Sequence, residues 1–266
     1  MNNKDWTKEL VEIMARLRAE EGCPWDRKQT HDSLKRYLIE ETAELLDAID
    51  TQDDSAIKDE LGDVLLNILF HAQIASEEKR FDIQDVARNT CEKMIRRHPH
   101  VFGDKTLDTA EDVATQWAQI KQVERASQTP ENEPTPSAIE GVPKHLPALH
   151  RAYKVLNKAA HAGFEWPTVD AVMDKILEEL TEVQHAIKAN DKKAISEEIG
   201  DLLFAVTNLG RFLDHFPEQA LHQTIHKFEQ RFKSVEQQLL AQNKRPQQCD
   251  LDELMALWVQ AKEQCG

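Results

Sequence analysis

Glu40-Glu41-x-x-Glu44 is followed by Glu60-Leu61-Gly62-Asp63, and the arrangement returns as Glu178-Glu179-x-x-Glu182 and Glu198-Ile199-Gly200-Asp201. Both halves of the pattern are displaced by 138 residues, from Glu40 to Glu178 and from Glu60 to Glu198. Residues three or four apart share a helix face, with Cβ atoms roughly 5–6 Å from one another. Glu179 and Glu182 therefore project together, as do Glu198 and Asp201, and antiparallel packing of the two helices can bring the four carboxylates to one point. Like charges so close repel, and a cation relieves them. An all-carboxylate set suits a hard cation such as Mg²⁺, which keeps waters and bridges phosphate oxygens. Glu41, Glu44, Glu60 and Asp63 repeat the set and form a possible second metal site.

One E-x-x-E alone would read as a solvated acidic face. Two copies in fixed register, embedded in apolar helix, do not. A di-iron carboxylate bundle is a sharper competitor, but it needs Glu-x-x-His on two helices. Glu182-x-x-His185 fits once, and Asp47 stands at the corresponding place in the first copy. An iron oxidase is therefore disfavoured.

Cations for a phosphate substrate are available. Lys227 and Arg231 lie one turn apart beside Phe228 and Phe232, and Lys93 and Arg97 follow the first motif in the same way. By spacing alone these compete evenly with basic residues that complement a helix dipole or pair with surface acids. Trp258 can stack on a base or serve the core, and His98-Pro99-His100 is weak as a metal signal.

The elements that position these residues are helical. Leu34, Leu38, Leu45 and Ile49 recur at helical spacing, then Ile57, Leu61, Val64, Leu65 and Ile68. Thr51-Gln52-Asp53-Asp54 separates the two runs as a turn with a candidate N-cap. The second copy repeats this with Ile176, Leu180, Val183 and Ile187, the turn Lys188-Ala189-Asn190-Asp191, and Ile195, Ile199, Leu202, Leu203 and Val206. Further helices are predicted over 3–20, 82–97, 108–126, 149–161, 217–242 and 250–264, and no strand is evident. Gly62 and Gly200 weaken their helices by about 1 kcal/mol relative to Ala. Their recurrence predicts close approach of another helix or a ligand.

The chain has 266 residues with 40% apolar and 30% charged content, enough for two domains that each bury a core. Pro130, Pro134, Pro136, Pro143 and Pro147 cluster where the apolar periodicity lapses. The expected organisation is a first domain at 1–126, a Pro-rich linker at 127–147 and a second domain at 148–266. The net charge of −15 argues against a nucleic-acid polymer or an anionic membrane as partner, though not against a mononucleotide carried with metal. Cys23, Cys91, Cys249 and Cys265 are widely spaced and read as reduced thiols. Without a signal-like N-terminus or a run long enough to span a membrane, a cytoplasmic location is expected.

The acidic pattern, with Gly22-Cys23-Pro24-Trp25-Asp26, Gln29-Thr30-His31, Arg96-Arg97-His98-Pro99-His100-Val101-Phe102, Leu146-Pro147-Ala148-Leu149 and Gly163-Phe164-Glu165-Trp166, resembles the MazG-type all-α nucleoside triphosphate pyrophosphohydrolases. Gly200-Asp201-Leu202-Leu203-Phe204 with Asn208 adds to the likeness, which covers nearly the whole chain. The resemblance implies tandem MazG-type helical domains whose bundles are completed by dimerisation. It implies Mg²⁺-dependent hydrolysis of a nucleoside triphosphate to the monophosphate and pyrophosphate, clearing surplus or non-canonical nucleotides. Carried over by motif, the second copy does the chemistry: Glu179, Glu182, Glu198 and Asp201 hold the metal. Lys175, Glu178, Lys227, Arg231 and Trp258 contact the nucleotide, and Glu178 or Glu179 acts as general base. The competing reading is a non-catalytic nucleotide-sensing or partner-binding module that keeps the metal site. In the first copy the ligand set is complete, while Asn67 and Phe70 stand where the second has Ala205 and Asn208.

Overall fold

The computed structural model describes residues 4–104, 106–128 and 137–264. Among them every regular element is a helix: α1 (Trp6–Arg18), α2 (Pro24–Lys28), α3 (Lys35–Thr51), α4 (Asp54–Glu77), α5 (Ile83–Arg97), α6 (Pro99–Phe102), α7 (Ala110–Gln128), α8 (Ala148–His161), α9 (Val169–Ala189), α10 (Lys192–Phe212), α11 (Pro217–Ala241) and α12 (Leu251–Gln264), with a short 3₁₀ turn at Pro246–Gln248. The chain divides into two compact units, Met1–Glu131 and Asn132–Gly266. Of the Pro-rich stretch at 127–147, residues 129–136 lie outside the described residues, and α7 continues through Gln128.

In the first unit α3 and α4 form the expected hairpin. Gln52 ends α3 in the left-handed region at φ 57°, and the Asp53 carboxylate caps α4 by accepting from the Ser55 and Ala56 amides. Such a cap is worth about 1 kcal/mol. Met14, Leu34, Phe70 and Ile74 form the buried centre, with Tyr37 and Leu66 against it, so α1 is fixed on the C-terminal half of α4. Arg18, its side chain 6% exposed, reaches Glu77 at 2.7 Å and also donates to the Asp26 and Gln29 carbonyls. One guanidinium thereby fastens the segment around α2 to the motif helix.

In the second unit the same turn chemistry recurs. Asn190 takes the left-handed conformation at φ 54°, and Asp191 caps α10 by accepting from Lys193 and Ala194. Thr168 caps the start of α9. α8 packs on α10, and Val235, Leu239, Leu257 and Ala261 join α11 to α12 in a second buried centre. Arg211 plays a part like that of Arg18: its side chain is 8% exposed, and it donates to Glu165 at 2.6 Å and to Asn208 at 2.9 Å. The Gly163–Trp166 loop is thus tied to the motif helix.

Two expectations need correction or extension. A Cβ built on Gly62 or Gly200 meets nothing within 4 Å, so neither glycine serves a close approach within its unit. The short helices α2 and α6 escape a reading by periodicity because each begins at a proline and lasts about one turn.

Candidate metal centre and active site

Each hairpin brings three carboxylates together. In the second unit Glu179, Glu182 and Glu198 each offer an oxygen such that all lie within 4.8 Å of one another; in the first unit Glu41, Glu60 and Asp63 do so. In the second unit α9 supplies Glu179 and Glu182 and α10 supplies Glu198; in the first, α3 supplies Glu41 alone and α4 supplies both Glu60 and Asp63. Asp201 and Glu44, expected as fourth members, fall outside these groups. Asp201 follows Glu198 by one turn on α10, and Glu44 still raises the charge density around Glu60.

The electrostatics fit a cation. The Glu182 carboxyl is held above the ordinary carboxylate range by its hydrogen bond with Glu179, by burial and by the charge of Glu198, with Lys175 opposing. Burial, then the charges of Asp63, Glu44, Glu60 and Glu40, push Glu41 upward. Glu60 moves the same way through burial and its acidic neighbours Glu44, Asp63 and Asp59. Glu60 Oε2 is shielded from solvent and has no hydrogen-bond partner. A buried carboxylate oxygen without a donor is costly, and a hard divalent ion satisfies it. The donor set is all oxygen, which suits Mg²⁺ better than a softer metal.

The two centres also differ at neighbouring positions. Lys175 stands one turn before Glu179 and bonds both Glu178, at 3.0 Å, and Glu179, at 2.8 Å. Those carboxylates raise its ammonium pKa well above the usual lysine value. The residue at the same displacement in the first copy is Tyr37. Its ring packs edge-on against Trp25 at 5.8 Å and borders the Met14–Phe70 core. Where the second centre has a lysine, the first has a packing ring. Farther along the motif helices, Phe70 is core, whereas Asn208 is buried and accepts from Arg211. Asn67 donates to the Asp63 carbonyl on its own helix.

Lys227 and Arg231 are one turn apart on α11, and Trp258 lies on α12. Trp258 borders the Leu239–Leu257 core, and its ring meets Phe228 at 5.0 Å. Phe228 in turn stacks on Phe232 at 6.0 Å and is 55% exposed. Among the described residues no hydrogen bond or ion pair joins Lys227 or Trp258 to the triad. Cys23, Cys91 and Cys249 are free thiols, and Cys265 lies outside the described residues.

An all-helical hairpin that gathers three carboxylates from its two arms, present twice, defines a carboxylate-centred helical protein. The MazG nucleotide pyrophosphohydrolase domain is matched by residues 29–102 and again by residues 167–236, and the chain belongs to that family. It is 42% identical over 258 residues to a nucleoside triphosphate pyrophosphohydrolase of Escherichia coli K12, covering 96% of each chain. It is 44% identical over 254 residues to a nucleoside triphosphate pyrophosphohydrolase/pyrophosphatase MazG of Thermotoga maritima, covering 96% of this chain and 94% of the relative. A Bacillus subtilis protein named YabN is 43% identical over 252 residues, which span 94% of this chain and 50% of that one.

Proposed function

We propose that this chain hydrolyses nucleoside triphosphates to the monophosphate and pyrophosphate, using Mg²⁺ held in the second unit by Glu179, Glu182 and Glu198, with Asp201 completing the set. The observation that carries this reading is the convergence of three carboxylate oxygens beside Lys175. Bound Mg²⁺ would polarise a phosphoryl oxygen and ease the departure of pyrophosphate. The protein's own part is positioning. Lys227 and Arg231 take the triphosphate oxygens, where a guanidinium offers paired donors, and Trp258 with Phe228 offers an aromatic surface for the base. Glu179 is buried within the ligand group, so Glu178, which is exposed and held by Lys175, is the carboxylate left to take the proton of the attacking water. The biological role proposed is removal of surplus or non-canonical triphosphates from a cytoplasmic pool.

The first unit supports the non-catalytic reading for its own centre, because Tyr37 stands where Lys175 would be. Dimerisation is part of the same proposal. Leu177, Leu180, Ile199, Leu203 and Phe204 on the motif hairpin are each at least 42% exposed, and an apolar face of that kind marks an interface. Sedimentation at micromolar concentration should give twice the mass of the chain; a monomer at that concentration counts against the dimer.

The product test is hydrolysis in ¹⁸O-labelled water. Attack at the α-phosphorus places the label in the nucleoside monophosphate. Label in orthophosphate, with a diphosphate intermediate, means stepwise γ-attack and overturns the reaction while leaving the metal centre standing.

A further inference from the structure

Several arginines fasten segments together by closing on carboxylates or backbone carbonyls, as Arg97 does on Glu124 at 2.7 Å. Arg211 does something more. Its Nη2 donates to Glu165 Oε1 at 2.6 Å, and the same oxygen accepts from the Trp166 amide at 2.8 Å. Its Nε donates to Asn208 Oδ1 at 2.9 Å. Asn208 is 7% exposed and the Arg211 side chain 8%, so little water competes for either contact. A guanidinium has donors and no acceptor. The amide atom that meets it must be the oxygen, and the Asn208 NH₂ is turned away from Arg211. The amide cannot flip without setting donor against donor. Among the described residues that NH₂ has no hydrogen-bond partner.

Asp201, Ala205 and Asn208 follow one another on α10 at steps of four and three. Those steps keep them on one face of the helix, and the climb from Asp201 to Asn208 is about 10 Å. The middle position is an alanine, so the strip between carboxylate and amide carries nothing larger than a methyl group. In the first copy the same strip reads Asp63, Asn67 and Phe70. There the middle position is filled, and Phe70 lies in the core with its ring 6.4 Å from that of Trp25. Gln73 stands in place of Arg211 and donates to Glu77 on its own helix. The first unit has neither the amide nor the arginine at these two places.

We propose that Asn208 offers its N–H donors to an acceptor on the nucleoside of the bound triphosphate, and that Arg211 and Glu165 are the positioning residues that hold the amide in that orientation. The inference rests on the reading that the second unit holds the triphosphate at Glu179, Glu182 and Glu198. With the phosphates at the carboxylates the nucleoside lies beyond them, and Asn208 is the next polar group along the Asp201 face. A sugar hydroxyl and a base carbonyl or ring nitrogen are all acceptors, and any of them satisfies the amide. Glu165 acts at one remove. It fixes Nη2 so that Nε stays aimed at Asn208, and the Trp166 amide holds Glu165 in turn.

The test is isothermal titration of the full chain in excess Mg²⁺ with two probes. The α,β-methylene analogue of ATP keeps the nucleoside and resists cleavage, whereas inorganic pyrophosphate has no nucleoside. Asn208→Leu and Arg211→Met should each weaken analogue binding by about tenfold, the scale of one hydrogen bond lost with its partner left unpaired, and leave pyrophosphate binding within about twofold. In the Asn208→Leu background Arg211→Met should cost nothing more, because a positioning residue acts only through what it positions. Glu165→Gln leaves the guanidinium in place and serves if Arg211→Met melts early; it should weaken analogue binding by about threefold. The same analogue built on 2′,3′-dideoxyribose locates the acceptor: a sugar hydroxyl loses its dependence on Asn208 there, and a base acceptor keeps it. Unchanged analogue binding in folded Asn208→Leu overturns the proposal. Equal weakening of both probes overturns it too, since the amide then serves the phosphates or the fold. If neither probe binds the parent, the reading of the second unit fails and takes the proposal with it, a result distinct from the other two.

Discussion

Nδ1 of His31 lies 2.7 Å from Nδ1 of His71, the two rings stacked within 3° of parallel. Arg80 Nη2 approaches His31 Nε2 at 2.6 Å. A guanidinium can only donate, so His31 Nε2 accepts and its proton sits on Nδ1. That proton is donated to His71 Nδ1, which must also be unprotonated. The chain of bonds requires both imidazoles to be neutral. Around it stand Glu78, which pairs with Arg80, and the Asp32–Lys35 pair beside His31.

A pH dependence of stability follows. Burial, and then the charge of His31, hold the His71 pKa below the ordinary histidine value. The stabilisation is complete above the unfolded value of about 6.5 and is lost as pH falls through the lower folded value. The melting temperature should decline between pH 7 and pH 5, and His71→Gln should flatten the decline. Equal slopes in parent and variant, followed by circular dichroism, would refute the neutral pair.

Replacing a ligand should be far more damaging than replacing its outer neighbours. Glu198→Gln and Glu182→Gln should each lower turnover by about 10² or more, the scale of removing a preorganised electrostatic element. Pyrophosphate release at saturating Mg²⁺ reads the effect. Near-parent rates in both variants would be incompatible with the assigned centre.

Lys175 supplies a resident positive charge to Glu178 and Glu179. Lys175→Gln should let Mg²⁺ bind at lower concentration, since a competing cation is gone, while turnover drops by about tenfold through loss of one charge-assisted contact. A Mg²⁺ titration of activity separates the two effects. If half-saturation rises instead, the lysine assists the metal rather than competing with it.

The α11–α12 centre gives the stability prediction. Leu239 is fully buried among Val235, Leu257 and Ala261, and Leu239→Ala should cost about 2–5 kcal/mol. Chemical denaturation of the variant checks it, and a loss below about 1 kcal/mol would mean that the site collapses freely.

Much of this architecture was legible because it is local. The apolar spacing from Ile176 to Ile187 and from Ile195 to Val206 marks two helices, and Asp191 marks where the second begins. The glutamate pairs Glu41/Glu44 and Glu179/Glu182 follow from helical geometry alone. Which carboxylates converge does not, because that depends on axial rotation: Glu41 meets both Glu60 and Asp63 in the first triad, without Glu44, whereas Glu179 and Glu182 meet Glu198 in the second. Glu124 was invisible for a related reason. Its partner Arg97 is 27 residues away, and no periodicity couples two side chains across separate helices. The close approach expected at Gly62 and Gly200 is not found within either unit, because a helix glycine in the sequence records only the lack of a side chain, not what fills the space.

The turns between the motif helices carry an evolutionary consequence. Gln52–Asp53 and Asn190–Asp191 each combine a left-handed residue with an aspartate cap, leaving no slack between the helices. One inserted residue inside α10 ahead of Glu198 would swing the rest of that helix by about 100° and carry the glutamate off the shared face. Side chains here can be exchanged gradually, as Lys175 and Tyr37 illustrate across the duplication, but the residue count between Glu182 and Glu198 cannot drift. Divergence of the two halves is free in chemistry and frozen in length.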